Sequence, residues 1–94
     1  MKRKIRFKTV GHLADMAGVK ELDVMVEGST VKDFLLEVFK HVDESFGRFI
    51  LPSGKLSDVV TVLKNGKNIY LLDGLETKIE DGDVISVMHP SIGG

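Results

Sequence analysis

The sequence predicts a small α+β fold: one amphipathic helix laid on a mixed sheet of four or five short strands, with a short extra helix. Three observations predict it. Apolar residues alternate with period two in two early stretches, they recur with helical period in one longer stretch, and the later turns are marked by Asn-Gly or Asp-Gly. The 94 residues suit a single domain. A hydrophobic share of 43% and a charged share of 29% are globular in character and argue against wholesale disorder.

Residues 4–9 alternate strictly, with Lys4, Arg6 and Lys8 against Ile5, Phe7 and Thr9, the pattern of a strand with one wet face. In residues 10–18, Leu13, Met16 and Ala17 are spaced for a brief helix that Gly18 can close. A second strand follows, with Leu22, Val24 and Val26 on one side and Glu21, Asp23, Met25 and Glu27 on the other, and Gly28 ends it. Thr30 and Asp33 then have capping-box spacing. Val31, Phe34, Leu35, Val38, Phe39 and Val42 form one apolar stripe about three turns long, which needs a sheet to lie on.

Gly47, Pro52 and Gly54 mark an irregular connection that carries Phe46, Phe49 and Ile50. Residues 59–63 read as a well-covered strand. Asn65-Gly66 predicts a type I′ hairpin, because both central residues of that turn need positive φ. Residues 68–72 return as a short strand, Asp73-Gly74 turns, and Asp81-Gly82-Asp83 feeds a last strand over residues 84–88, which Pro90 stops. The predicted core is Ile5, Phe7, Leu22, Val24, Val31, Leu35, Val38, Val60, Val62, Ile69, Ile79, Ile85 and Val87. Residues 1–88 are thus read as one folded domain and residues 89–94 as a flexible tail.

Composition narrows the function. Thirteen Lys and Arg against fourteen Asp and Glu leave a net charge of −1, so the body has no excess charge with which to capture nucleic acid or a membrane surface. Without cysteine there are no disulfides, thiolate metal sites or cysteine nucleophile, which fits a reducing cytoplasm. Apolar runs of three or four residues fall far short of the ~20 needed to span a bilayer. The opening MKRKIRFK lacks the apolar segment of a signal peptide. His12, His41 and His89 lie in separate segments without metal-ligand spacing, and no Gly-rich phosphate loop occurs. A self-contained active site is not expected, nor is a bound cofactor or metal.

Two features remain. The basic run Lys2, Arg3, Lys4, Arg6 and Lys8 is the wet face of the first strand, and Lys4, Arg6 and Lys8 could also steer an acidic protein partner. The second feature is the closing Gly93-Gly94. A glycine carboxylate has no side chain beside it and visits conformations other residues avoid, so it can pass through a narrow channel. Six extended residues from His89 reach about 20 Å, enough to enter another protein's active site while the folded body docks outside. A carboxylate is a poor electrophile and would need activation, most simply as an acyl-adenylate made from ATP.

At these residues the sequence resembles the molybdopterin-synthase small subunits (MoaD) and the thiazole-pathway sulfur carriers (ThiS), ubiquitin-like β-grasp proteins ending in Gly-Gly. The resemblance covers essentially the whole chain. It rests on residues 77–85 (TKIEDGDVI, similar to T-x-L-x-D-G-D-x-V), on Asn65 in the hairpin and on the final glycines. The helical segment around Leu13 is closer to the molybdopterin-synthase branch. Where the family commonly has two prolines and a small pair, this chain has His89-Pro90-Ser91-Ile92.

The resemblance implies a ubiquitin-like β-grasp roll and a sulfur-transfer cycle. An adenylating enzyme of the ubiquitin-activating type would use ATP on the carboxylate of Gly94, and a persulfide sulfur-donor protein would convert it to a thiocarboxylate. A molybdopterin-synthase large subunit would supply the catalysis. Gly93 would permit passage, Pro90 and Ile92 would set the tail's exit, and Met88 would contact the partner. The docking surface is expected on the sheet face opposite the helix, with Ile85 and Val87 pointing inward and Ser86 and Met88 outward. Other fates stay open: a ubiquitin-like modifier joined to lysines through Gly94, a thiamine-pathway carrier, or a non-catalytic β-grasp interaction module.

Overall fold

The computed structural model describes residues 2–90, so the expectations placed on Ile92, Gly93 and Gly94 lie outside the described residues. The elements run β1 (Arg3–Thr9), α1 (Gly11–Ala17), β2 (Glu21–Val26), α2 (Val31–Val38), α3 (Glu44–Ile50), β3 (Thr61–Lys64), β4 (Lys67–Asn68) and β5 (Val84–Met88). Single 3-10 turns occupy Ile69–Leu71 and Gly74–Glu76. The sheet is five-stranded in the order β2-β1-β5-β3-β4. Its central pair, β1 and β5, is parallel, while β1–β2, β3–β5 and β3–β4 are antiparallel. This is the mixed sheet expected from the sequence.

The alternation of β1 is realised residue by residue. Ile5, Phe7 and Thr9 are buried and Lys4, Arg6 and Lys8 are exposed. The buried Thr9 hydroxyl donates to the Val87 carbonyl at 2.8 Å, so its burial leaves no polar group unpaired. Gly18 closes α1 at φ +85° and donates its N–H to the Ala14 carbonyl. Asn65 and Gly66 both take positive φ, +50° and +88°, as a type I′ hairpin turn requires.

The capping box of α2 is fully formed. The Asp33 N–H donates to the Thr30 hydroxyl at 3.2 Å, and the Asp33 carboxylate accepts from the N–H groups of Ser29 (2.9 Å) and Thr30 (3.2 Å). A Cβ at Gly28 would collide with that carboxylate, which explains the glycine there. The Ser29 N–H, with help from Thr30 and Lys32, holds the Asp33 carboxyl below its ordinary 3.8 despite partial desolvation. A depressed carboxyl pKa stabilises the fold above the ordinary value, and that contribution is lost as pH falls through the lowered one. Asp33→Asn should therefore be less stable than wild type near neutrality, and the gap in urea midpoints should close below about pH 4. A gap independent of pH would contradict this.

Four expectations need correction. The apolar stripe continues to Val42, but α2 stops at Val38. The N–H groups of Lys40 and His41 turn back to Glu37 and Val38, three residues away, in place of helical partners. Residues 44–50, expected to be irregular, form α3, because the Asp43 carboxylate caps it by accepting from the Ser45 N–H at 2.9 Å. A Cβ at Gly47, within α3, would press on the Phe39 ring at 3.1 Å, which favours glycine at that position.

The strand expected over residues 68–72 survives only as Lys67–Asn68. The Asn68 side chain accepts the Tyr70 N–H at 2.9 Å and bends the chain into a 3-10 turn, leaving Tyr70 and Leu71 exposed. Leu22, placed in the core, is half-buried, since β2 is an edge strand and Leu22 stands near its start. The other predicted core residues are buried, joined by Leu13, Ala14, Ala17, Val26, Phe34, Phe46 and Ile50. Phe7 is the aromatic hub, with ring centroids 6.4 Å from Phe34 and 5.8 Å, edge-to-face, from Phe46.

Candidate docking face and tail root

The candidate site lies where β5 leaves the sheet. Along β5, Ile85 and Val87 are fully buried, while Val84, Ser86 and Met88 are half-buried on the opposite face, as alternation requires. Met88 pairs with Thr61 at the end of β3 farthest from the Asn65–Gly66 turn. The outer face around it is weakly polar: Val84, Ser86 and Met88 from β5 beside Thr61 and Leu63 from β3.

The basic residues share that outer face but are spread along it. Lys8 stands opposite Ser86 and Arg6 opposite Val84, while Lys4 lies farther toward the start of β1. All three have acidic neighbours on β2, Lys8 standing opposite Glu21 in the strand register. Arg6 makes a two-pronged contact with Asp23 (2.9 and 3.3 Å) and lies 3.7 Å from Glu21, and Lys4 is 3.9 Å from Asp23. The Arg6 hydrogen bond holds the Asp23 carboxyl below its ordinary value. These pairs are exposed and screened by solvent, so they add little to stability. They also turn the expected positive stripe into one of alternating sign.

The segment that carries the family-like signature is a staple for the fold. Thr77, Ile79 and Asp83 are buried. The Thr77 hydroxyl accepts the Asp73 N–H at 3.0 Å, and residues 77–79 pair with the start of α2 through Val31 N–H to Thr77 and Ile79 N–H to Ser29, both 2.9 Å. Asp81 accepts the Lys4 N–H at 2.7 Å. The Asp83 carboxylate accepts from the Glu80 N–H (2.7 Å) and the Asn65 amide (2.9 Å), with the Lys64 ammonium at 3.7 Å. The Asn65 amide oxygen in turn accepts the Val84 N–H at 2.9 Å. These acidic residues hold turns together.

Just beyond the β5 ladder, the His89 ring lies with Nδ1 3.3 Å from the Val59 carbonyl oxygen and packs edge-to-face on Phe49, 6.2 Å between centroids. The next residue, Pro90, is exposed. The tail root therefore has two supports, Phe49 from α3 and Val59 from the loop before β3, that reading the sequence did not single out. The available signal for the first was Asp43-Glu44-Ser45, a capping residue ahead of a short helix. Among the described residues no cluster of three or more His, Asp or Glu forms a metal site. Nor is any helix among them long and apolar enough to cross a membrane.

Comparisons with known proteins agree on the architecture. The model of the ThiS family matches residues 8–94. Small archaeal modifier protein 3 of Haloferax volcanii is 40% identical over 68 residues, covering 72% of this chain and 73% of that protein. The solution structure of small archaeal modifier protein 1 from Methanosarcina acetivorans superposes with a TM-score of 0.84 at 30% identity, covering 100% of this chain and 99% of that one. A putative molybdopterin converting factor subunit 1 from Pyrococcus furiosus superposes with a TM-score of 0.75 at 27% identity, covering 95% and 99%. The fold is the ubiquitin-like β-grasp.

Proposed function

From the premise that the chain belongs to the ThiS family, we propose that it is a sulfur carrier whose Gly94 is adenylated, thiocarboxylated and then made to give up its sulfur. The observation that carries this reading is the family match through residue 94, which takes in Gly93-Gly94 beyond the described body.

The chemistry follows from the acyl group. A carboxylate oxygen of Gly94 attacks the α-phosphorus of ATP and pyrophosphate leaves. The terminal sulfur of a persulfide then displaces AMP from the acyl carbon. A thiol cleaves the resulting S–S bond, ending as a disulfide and leaving the thiocarboxylate on Gly94. In the finer reading the acceptor is a pterin precursor of molybdopterin, and the catalyst is a synthase large subunit that Met88, Pro90 and Ile92 help to engage. The name of the Pyrococcus furiosus structure supports that branch. Two sulfurs are needed per dithiolene, so spent carrier must leave, which suits an exchangeable interface of about 800 Å² per partner. Lys4, Arg6 and Lys8 would set encounter rate and register more than affinity.

A second reading has its own support, since two of the similar proteins are named as modifiers. Here a lysine amine displaces AMP, or another leaving group on the same acyl carbon, to give an isopeptide. Both fates begin with the same activated glycine. Incubation with the adenylating enzyme, ATP and a persulfide donor should exchange one oxygen for sulfur in the intact mass. Peptide maps of host extracts separate the fates, because isopeptide-linked Gly94 marks the modifier. A protein that is never adenylated would contradict both.

A further inference from the structure

The β5–β3 ladder ends at Met88 and Thr61, and a chain leaving the end of a strand is ordinarily free to swing from its last paired residue. Here the residue after the ladder is held from two sides, by the Val59 carbonyl and the Phe49 ring. These supports come from segments 30 and 40 residues away in sequence, and neither belongs to the sheet. The exposed His89 ring contributes nothing to the core, so the contacts do not exist to bury it. A carbonyl can only accept, so this contact is a hydrogen bond when Nδ1 carries the proton, the tautomer that leaves Nε2 for solvent or a partner. Pro90 follows at once, and its ring fixes φ near −65°, so the bearing set at His89 is passed on with one backbone rotation removed.

We propose that His89, held by Val59 and Phe49, is a positioning residue that fixes the direction in which the glycine-bearing tail leaves the body. The inference rests on the sulfur-carrier reading for its consequence, though not for its geometry. A tail that departs on one bearing loses less freedom on entering a partner's channel, so the clasp should act on binding and leave the chemical step alone. It also gives α3 a task, since Phe49 is the part of that helix that reaches the tail root.

The test has two arms. In the first, the adenylating enzyme is assayed with wild type, His89→Ala, His89→Asn and Phe49→Ala as substrates. The clasp predicts that His89→Ala raises KM about five- to tenfold with kcat within about twofold. Asn, whose amide can donate in place of Nδ1, should recover most of the loss, and Phe49→Ala should reproduce part of it. Wild-type KM in His89→Ala overturns the proposal, as does a fall in kcat alone. In the second arm, nitrogen NMR reads the ring's tautomer in isolated protein. The clasp predicts protonation at Nδ1 in wild type, weakened in Phe49→Ala, and an Nε2–H tautomer overturns it. If wild type is not activated at all, the sulfur-carrier reading fails, and the tautomer still decides the clasp on its own.

Discussion

Removal of Gly94 alone should abolish thiocarboxylate formation while leaving the thermal midpoint where it was. The shortened chain still ends in a glycine, Gly93, so the chemistry of the terminus is unchanged and only its reach is altered. One residue of extended chain is about 3.4 Å. A misplacement of about 1 Å at a reacting atom can cost about a hundredfold, so a whole residue should take the rate below detection. Stability should not move, because the described residues 2–90 already hold a buried apolar core tied together by their own hydrogen bonds. The assay is intact mass after incubation with adenylating enzyme, ATP and a persulfide donor, with a melting curve in parallel. Undiminished thiocarboxylation would refute the reach argument. A large fall in melting temperature would mean that the tail belongs to the fold.

Asp83→Ala should be the most damaging single change to the body outside the apolar core. Asp83 is 7% exposed, and its carboxylate satisfies the Glu80 N–H and the Asn65 amide while facing the Lys64 ammonium, itself only 19% exposed. Truncation leaves two donors and a half-buried cation without their acceptor, and breaking such a network costs about 3–5 kcal/mol. At about 4–8 °C per kcal/mol for a domain of this size, the midpoint should fall by more than 10 °C. Asn65 also loses the partner that steadies its positive φ, so the hairpin and the start of β5 should loosen together, visible as faster amide exchange at Val84. A fall below about 1 kcal/mol would show that solvent replaces the carboxylate at little cost.

The contrast between these two residues shows what could be read from the sequence. β1, β2, the Gly18 closure, the Thr30–Asp33 capping box and the Asn65–Gly66 turn are each fixed by neighbours within a few residues, so periodicity and turn chemistry revealed them. α3 escaped because the helical stripe of α2 continues smoothly to Val42, while the break depends on Asp43 capping a new helix. The strand after Asn68 was overestimated because an apolar run cannot show that the Asn68 side chain will take the Tyr70 N–H. The TKIEDGD segment was legible as family-like, yet its work as a staple between α2, β1 and the hairpin appears only in three dimensions. The glycine tail was read from its chemistry and lies outside the described residues. The clasp at its root was not, because Phe49, Val59 and His89 meet only through folding.

The central claim, that Gly94 is an acyl group that other catalysts charge with sulfur, is tested most directly by the intact mass of the protein recovered from its native host. The account predicts a population with one oxygen replaced by sulfur, localised to the C-terminal peptide. A mass that is always that of the plain carboxylate, or a chain that continues past Gly94 without being processed back to it, would contradict the account.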